Sequence, residues 1–136
     1  MKILKTFVAV VLLGILLWAN GNKPTADLQQ TTWTLAKIDS KKVTAPNTQL
    51  ILNADLKAYG SGGVNRFTGV YRLDANNGLI FSALVSTKMI GISSEVNKIE
   101  NDFFSVLAQT KRYKVQGKTL SLLDKENKIL AELTTP

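Results

Sequence analysis

The sequence predicts a mainly β fold: a small antiparallel, barrel-like meander with one covering α-helix, preceded by an N-terminal hydrophobic segment. Three observations carry that prediction. Short runs of alternating apolar and polar residues recur from Thr32 to Leu133, separated by turn residues such as Asn76-Asn77-Gly78 and Gln116-Gly117-Lys118. Helical spacing of apolar residues runs through one stretch of the soluble part, at Val96, Ile99, Phe103, Val106 and Leu107. A glycine-rich bend, Gly60-Ser61-Gly62-Gly63-Val64-Asn65, feeds an aromatic strand, Arg66-Phe67-Thr68-Gly69-Val70-Tyr71.

The elements follow in order. Residues 1–21 read as a signal peptide: Lys2 and Lys5 make a basic start, and Phe7 to Trp18 is an apolar run of 12 residues interrupted by Gly14. That is short against the ~20 residues of a membrane span. Ala19-Asn20-Gly21 places small residues for cleavage after Gly21; an uncleaved anchor, with residues 3–18 touching the membrane, is the alternative. Residues 22–30 are polar, include Pro24 and read as a linker, so the domain is expected over 31–136.

Trp33 and Leu35 alternate with polar neighbours in a first strand, Thr32 to Ile38, which ends in an Asp39-Ser40-Lys41-Lys42 turn. Ala45-Pro46-Asn47 is a break, and Leu50, Leu52 and Ala54 share one face of a second strand. The glycine bend follows. From Arg66 the two-fold pattern puts Phe67, Gly69, Tyr71 and Leu73 on one face and Arg66, Thr68, Val70 and Arg72 on the other. Gly69, mid-strand, marks a bulge or a close approach of another segment.

Asn77-Gly78 is a hairpin signal, since both residues tolerate positive φ. On the returning strand Leu79, Phe81, Ala83 and Val85 alternate, and Ser86 to Gly91 leads out of the sheet. Ser93 or Ser94 caps the helix, Glu95 lies in its first turn, and Lys98, Glu100, Asn101, Asp102 and Ser105 are assigned to its solvent face. Three short strands close the chain, around Tyr113–Val115, Thr119–Leu123 and Lys128–Leu133.

Composition narrows the chemistry. The 136 residues contain neither cysteine nor histidine, which removes disulfides, thiol nucleophiles, thiolate or imidazole metal sites and the usual general base. A Ser-His-Asp arrangement cannot be assembled. The net charge is +7; without Lys2 and Lys5 it is +5, from 15 basic and 10 acidic scattered residues, which reads as a solvated surface and not a nucleic-acid stripe. The glycine bend lacks the Gly-Lys-Ser/Thr and following helix of a phosphate cradle. Asp74, Asn76 and Asn77 fit a plain hairpin better than a cation loop. Neither cofactor nor metal is expected, and no enzymatic activity.

The pieces, taken together, resemble the META domain, the HslJ-type domain of bacterial envelope proteins. The resemblance runs from about Leu28 to Leu133. It rests on Trp33-Thr34-Leu35, the glycine bend with Asn65-Arg66-Phe67-Thr68-Gly69-Val70-Tyr71, Leu79-Ile80-Phe81, Thr87-Lys88-Met89, Glu100 with Phe103 and Leu107, and Leu120 to Asp124. Two positions depart from the pattern: Val64 and Gly91 stand where relatives often carry cysteine.

The resemblance implies a small barrel-like domain, export, and an association with envelope stress; it implies no shared catalysis. Asn20 occupies the place of the lipid-bearing cysteine of a lipoprotein box, so cysteine-linked lipidation is excluded. The expectation is a monomeric, exported, non-catalytic domain of the periplasm or cell envelope that binds an envelope protein. Its motif residues are Gly63, Asn65, Arg66, Phe67, Gly69, Tyr71, Thr87 and Met89. The alternative is a carrier holding a lipid or other apolar ligand inside the barrel against Trp33, Phe67, Tyr71 and Phe81.

Overall fold

The computed structural model describes residues 25–136; the signal segment, its cleavage site and the start of the linker lie outside the described residues. Nine strands form one antiparallel sheet: β1 Trp33–Ile38, β2 Lys41–Lys42, β3 Thr48–Leu52, β4 Lys57–Gly62, β5 Arg66–Asp74, β6 Gly78–Ser86, β7 Arg112–Gln116, β8 Thr119–Leu123 and β9 Ile129–Thr134. The order is β2-β1-β3-β4-β5-β6-β7-β8-β9, and β9 pairs back onto β1, so the sheet closes in a ring. The single helix of the described residues, α1 (Ser94–Gln109), crosses from β6 to β7.

Alternation decides which side chains enter the ring. Trp33, Leu35, Leu50, Leu52, Phe67, Tyr71, Leu79, Phe81, Leu120, Leu122 and Leu133 are all buried, and the helix adds Phe103, Val106 and Leu107 to the same core. Phe67 meets the helix edge-on, 6.1 Å from Phe103 and 5.6 Å from Phe104 between ring centroids. The aromatic side chains expected to line a ligand cavity, Trp33, Phe67, Tyr71 and Phe81, are thus part of one packed cluster. Trp33 is fully buried, and its indole N–H donates to the Leu28 carbonyl.

Four local expectations change. Gly60 and Gly62 belong to a strand, β4, that the glycine content concealed; the bend itself is Gly63-Val64-Asn65. The turn before β6 sits one residue earlier than the Asn-Gly pair, because Asn76 and Asn77 carry the positive φ values, 60° and 58°, while Gly78 pairs with Asp74. Residues 25–30 lie against the sheet: Ala26 and Leu28 pack on the core, and the Ala26 N–H donates to Gly117 O. Lys41–Lys42 pairs with β1 through a turn in which Asp39 and Ser40 both have positive φ.

The fifth change is a bulge. Ladder pairing passes from Thr68–Val85 to Val70–Ser82, leaving an extra residue on β6, where Ala83 has φ 51°. The bulge reverses the facing of the strand's end: Leu84 packs against the core and Val85 is exposed. Gly69 sits opposite. A Cβ there would lie 2.7 Å from Leu84 Cδ2 and 3.0 Å from Ser82 O, so the mid-strand glycine makes room for the bulge.

Candidate functional site

The densest polar cluster lies where the β4–β5 bend meets α1. Ser93 caps the helix, its hydroxyl accepting from the Val96 N–H. Glu100, less than two turns on, is buried and points back into the bend. Its Oε2 accepts from Val64 N at 2.8 Å and Asn65 N at 2.6 Å, and its Oε1 accepts from Asn65 Nδ2 at 2.5 Å. Placing Glu100 on the solvent face is therefore corrected. It shares the stripe of Val96, Phe103 and Leu107, and faces a set of donors that only an acceptor can answer.

Gly62 makes this approach possible. A Cβ there would sit 2.6 Å from Glu100 Cγ and 2.7 Å from Phe104 Cζ. The backbone comes this close to the helix because the position carries no side chain.

Asn65 is the hub. Its Oδ1 accepts from Met89 N at 2.7 Å and from the Thr87 hydroxyl at 2.7 Å; its Nδ2 donates to Met89 O at 2.9 Å as well as to Glu100. The amide orientation follows from its neighbours, since Met89 N–H can only donate and the Glu100 carboxylate accepts. Thr87 Oγ1 also accepts from Arg66 N at 3.2 Å, and Thr87 N donates to Arg66 O at 3.1 Å. Farther along, Asn97 Oδ1 accepts from Gly91 N at 2.8 Å. The segment after β6 is thus clamped at Thr87, Met89 and Gly91.

Of the eight motif residues, the structure joins Asn65, Thr87, Met89 and the backbone of Arg66. Gly63 is in the bend with φ 115°, its N–H donating to Ser61 Oγ at 3.0 Å. Phe67 is core, and the Arg66 side chain is exposed. Gly69 and Tyr71 serve other places. Tyr71 is buried; its hydroxyl donates to Asn53 O and accepts from Gln29 Nε2 at 2.7 Å. Burial pushes the phenol above its ordinary value of 10.0; the Gln29 hydrogen bond works against this and the Asp55 charge adds to it. Arg72 and Asp74 form an exposed pair at 3.0 Å.

Val64 and Gly91 are neighbours: a Cβ on Gly91 would be 2.7 Å from Val64 Cγ2. The two positions that the resemblance marked as departures from the family pattern therefore lie against each other. Just beyond, the chain exposes apolar side chains. Met89 is 61% accessible, Ile90 90% and Ile92 104%. Among the described residues no group of three or more acidic side chains is placed to hold a metal ion.

A groove of about 600 Å3 runs beside α1, but Lys41, Lys42, Lys98 and Lys128 alternate there with Asp39, Glu95 and Asp102. Lys98–Asp102 at 2.5 Å and Lys128–Asp39 at 3.3 Å already pair, so the groove has no single-signed field.

A META domain model matches residues 26–135, and the chain belongs to the META domain family. Among solved structures, the fold is similar to that of a protein from Burkholderia xenovorans determined by NMR, with TM-score 0.63 and 20% identity, covering 86% of this chain and 96% of that one. A second NMR structure matches with TM-score 0.63 and 20% identity over 79% of this chain and 90% of that one. A DUF4847-family protein from Bacteroides vulgatus ATCC 8482 matches with TM-score 0.56 and 14% identity over 79% and 93%. At these identities the likeness is one of fold. No curated protein matches the chain.

Proposed function

We propose that this META domain is exported, works in the periplasm or cell envelope without catalysis, and acts by binding another protein through the segment Met89–Ile92. The observation that carries the reading is an apolar segment that is both exposed and held. Ile90 and Ile92 project into solvent, while Asn65 grips both the N–H and the C=O of Met89 and Asn97 grips Gly91. A held segment loses little conformational freedom on docking, and covering two isoleucines contributes about 3–6 kcal/mol. The absence of cysteine and histidine supports a non-catalytic role, as does the use of Asn65, Thr87 and Glu100 in bonds to one another. Export is supported by residues 1–21 as a sequence. The envelope-stress role follows from the family resemblance alone.

The test is site-specific photocrosslinking in intact cells from positions 90 and 92, with Lys118, on the exposed β7–β8 turn, as control. One discrete partner captured from 90 and 92, absent from 118 and lost in an I90S/I92S background, supports the reading. The same adducts from all three positions would overturn it. The mass of the mature protein reports separately whether cleavage follows Gly21.

A further inference from the structure

We infer that the domain takes up an extended segment of its partner by strand addition to the free edge of β6, with one apolar side chain of that segment seated between β6 and α1. This rests on the protein-binding reading and adds to the Met89–Ile92 segment a second, neighbouring contact and the chemistry of the ligand.

The ring is unevenly closed. β6 spans nine residues, Gly78–Ser86, yet pairs with β7 at one position, Gly78 with Arg112. Two backbone bonds flank that pair, Leu79 N to Lys111 O and Tyr113 N to Asn77 O. Beyond them β7 turns to β8, with which it pairs along its full length, and among the described residues no strand lies on that side of β6.

The direction of the free groups follows from strand parity. Thr87 N donates to Arg66 O, toward β5, and Val85 therefore faces β5 as well. Ser86, between those two, turns its N–H and C=O to the open side, and Leu84 turns its C=O the same way, since that carbonyl shares a peptide with the Val85 N–H. These are alternating donors and acceptors at strand spacing, which another extended backbone satisfies and a lipid chain does not.

A pocket lies beside this edge. Phe67, Leu84, Val85, Ser86, Phe104 and Leu107 border a cleft of about 200 Å3, roughly the volume of seven water molecules. It is mainly apolar and of a size for one large side chain. Lys88 stands at its rim and, among the described residues, makes no ion pair. The fitting ligand is an extended peptide with an apolar residue for the cleft and a carboxylate a few residues along it for Lys88. The bulge at Ala83 keeps the edge short, which disfavours open-ended pairing between copies and leaves side-chain fit to choose the partner.

The test uses the full-length protein and a displayed library of random twelve-residue peptides. The selected peptides are then synthesised and titrated into 15N-labelled protein. Strand addition moves the Leu84 and Ser86 amides and slows hydrogen exchange at Ser86 at least tenfold, with the Val85 amide already protected before addition. N-methylation of alternate peptide bonds abolishes binding, because the backbone is what is read. Two variants probe the two halves of the site: Ser86→Pro removes an outward donor, and Ala108→Arg, at an exposed helix position on the cleft wall, fills the pocket; each weakens binding at least tenfold.

Peptides that shift only Met89–Ile92 overturn the inference and leave the protein-binding reading standing. So does a library that yields no peptide while crosslinking from 90 and 92 still captures a partner. A concentration-dependent dimer that Ser86→Pro dissolves overturns it in favour of a second copy on the same edge.

Discussion

Two hairpin bends in this molecule join neighbouring antiparallel strands and are held in opposite ways. The β4–β5 bend, Gly63-Val64-Asn65, is surrounded: Glu100 accepts two of its backbone N–H groups, and Asn65 ties it to Thr87 and Met89. The β7–β8 bend at Gly117-Lys118 lies open. A Cβ on Gly117 would meet nothing within 4 Å, and backbone bonds from Ala26 and Thr135 are what touch it. The first bend takes its shape from the tertiary structure and the second from its own backbone, φ 57° at Gly117. Changes at the first should therefore propagate to the helix and the Met89–Ile92 segment, and changes at the second should stay local.

The largest effect expected is Glu100→Ala. It strands the Val64 N–H, the Asn65 N–H and one of the two N–H groups of Asn65 Nδ2, the other keeping Met89 O, a loss of about 3–5 kcal/mol. Urea unfolding measures it, and retention of wild-type stability would show that the junction does not hold the bend. Asn65→Ala should cost about 2–3 kcal/mol and also raise hydrogen exchange at Met89, whose N–H loses its acceptor.

An engineered pair sharpens the comparison with the opposite sign. Val64→Cys with Gly91→Cys should oxidise to a crosslink and stabilise by about 2–4 kcal/mol, since the two positions touch. Failure to form it under mild oxidant would contradict the described geometry.

Tyr71 gives a pH signature away from both bends. Its folded-state value is raised, so the unfolded chain sheds this proton at lower pH than the folded one. Its contribution is whole below the ordinary value of 10.0 and is lost as pH rises through the folded value. Tyr71→Phe should cost about 1–2 kcal/mol at neutral pH and remove part of the alkaline fall in stability. The smallest effect belongs to the open bend: Gly117→Asn should change stability by about 0.5 kcal/mol or less, because asparagine accepts this φ.

The contrast also explains what the sequence made legible. Alternation at Trp33/Leu35, Leu50/Leu52, Phe67/Tyr71 and Leu79/Phe81 gave the sheet and its inward face, because period two is a backbone property. The helix was legible from its stripe and its Ser93 cap. β4 was hidden, since Gly60 and Gly62 read locally as turn residues, whereas they sit in a strand pressed against a helix forty residues away in the chain. Glu100 was missed for the same kind of reason. A carboxylate in a helix reads as solvated until its position on the stripe of Val96, Phe103 and Leu107 is set beside the unpaired donors of a distant bend. The bulge at Ala83 was half visible: Gly69 announced it on one strand, but nothing local on β6 showed that Leu84 and not Val85 would turn inward.

Joining β9 to β1 has a consequence for how the molecule is made. Its first strand waits for its last: residues 129–134 complete the pairing of both β1 and β8. The ring cannot shut until residues 129–134 are available to both neighbours, so folding is late and all at once. Removing even the final strand should leave an open, protease-sensitive sheet in place of a slightly smaller domain.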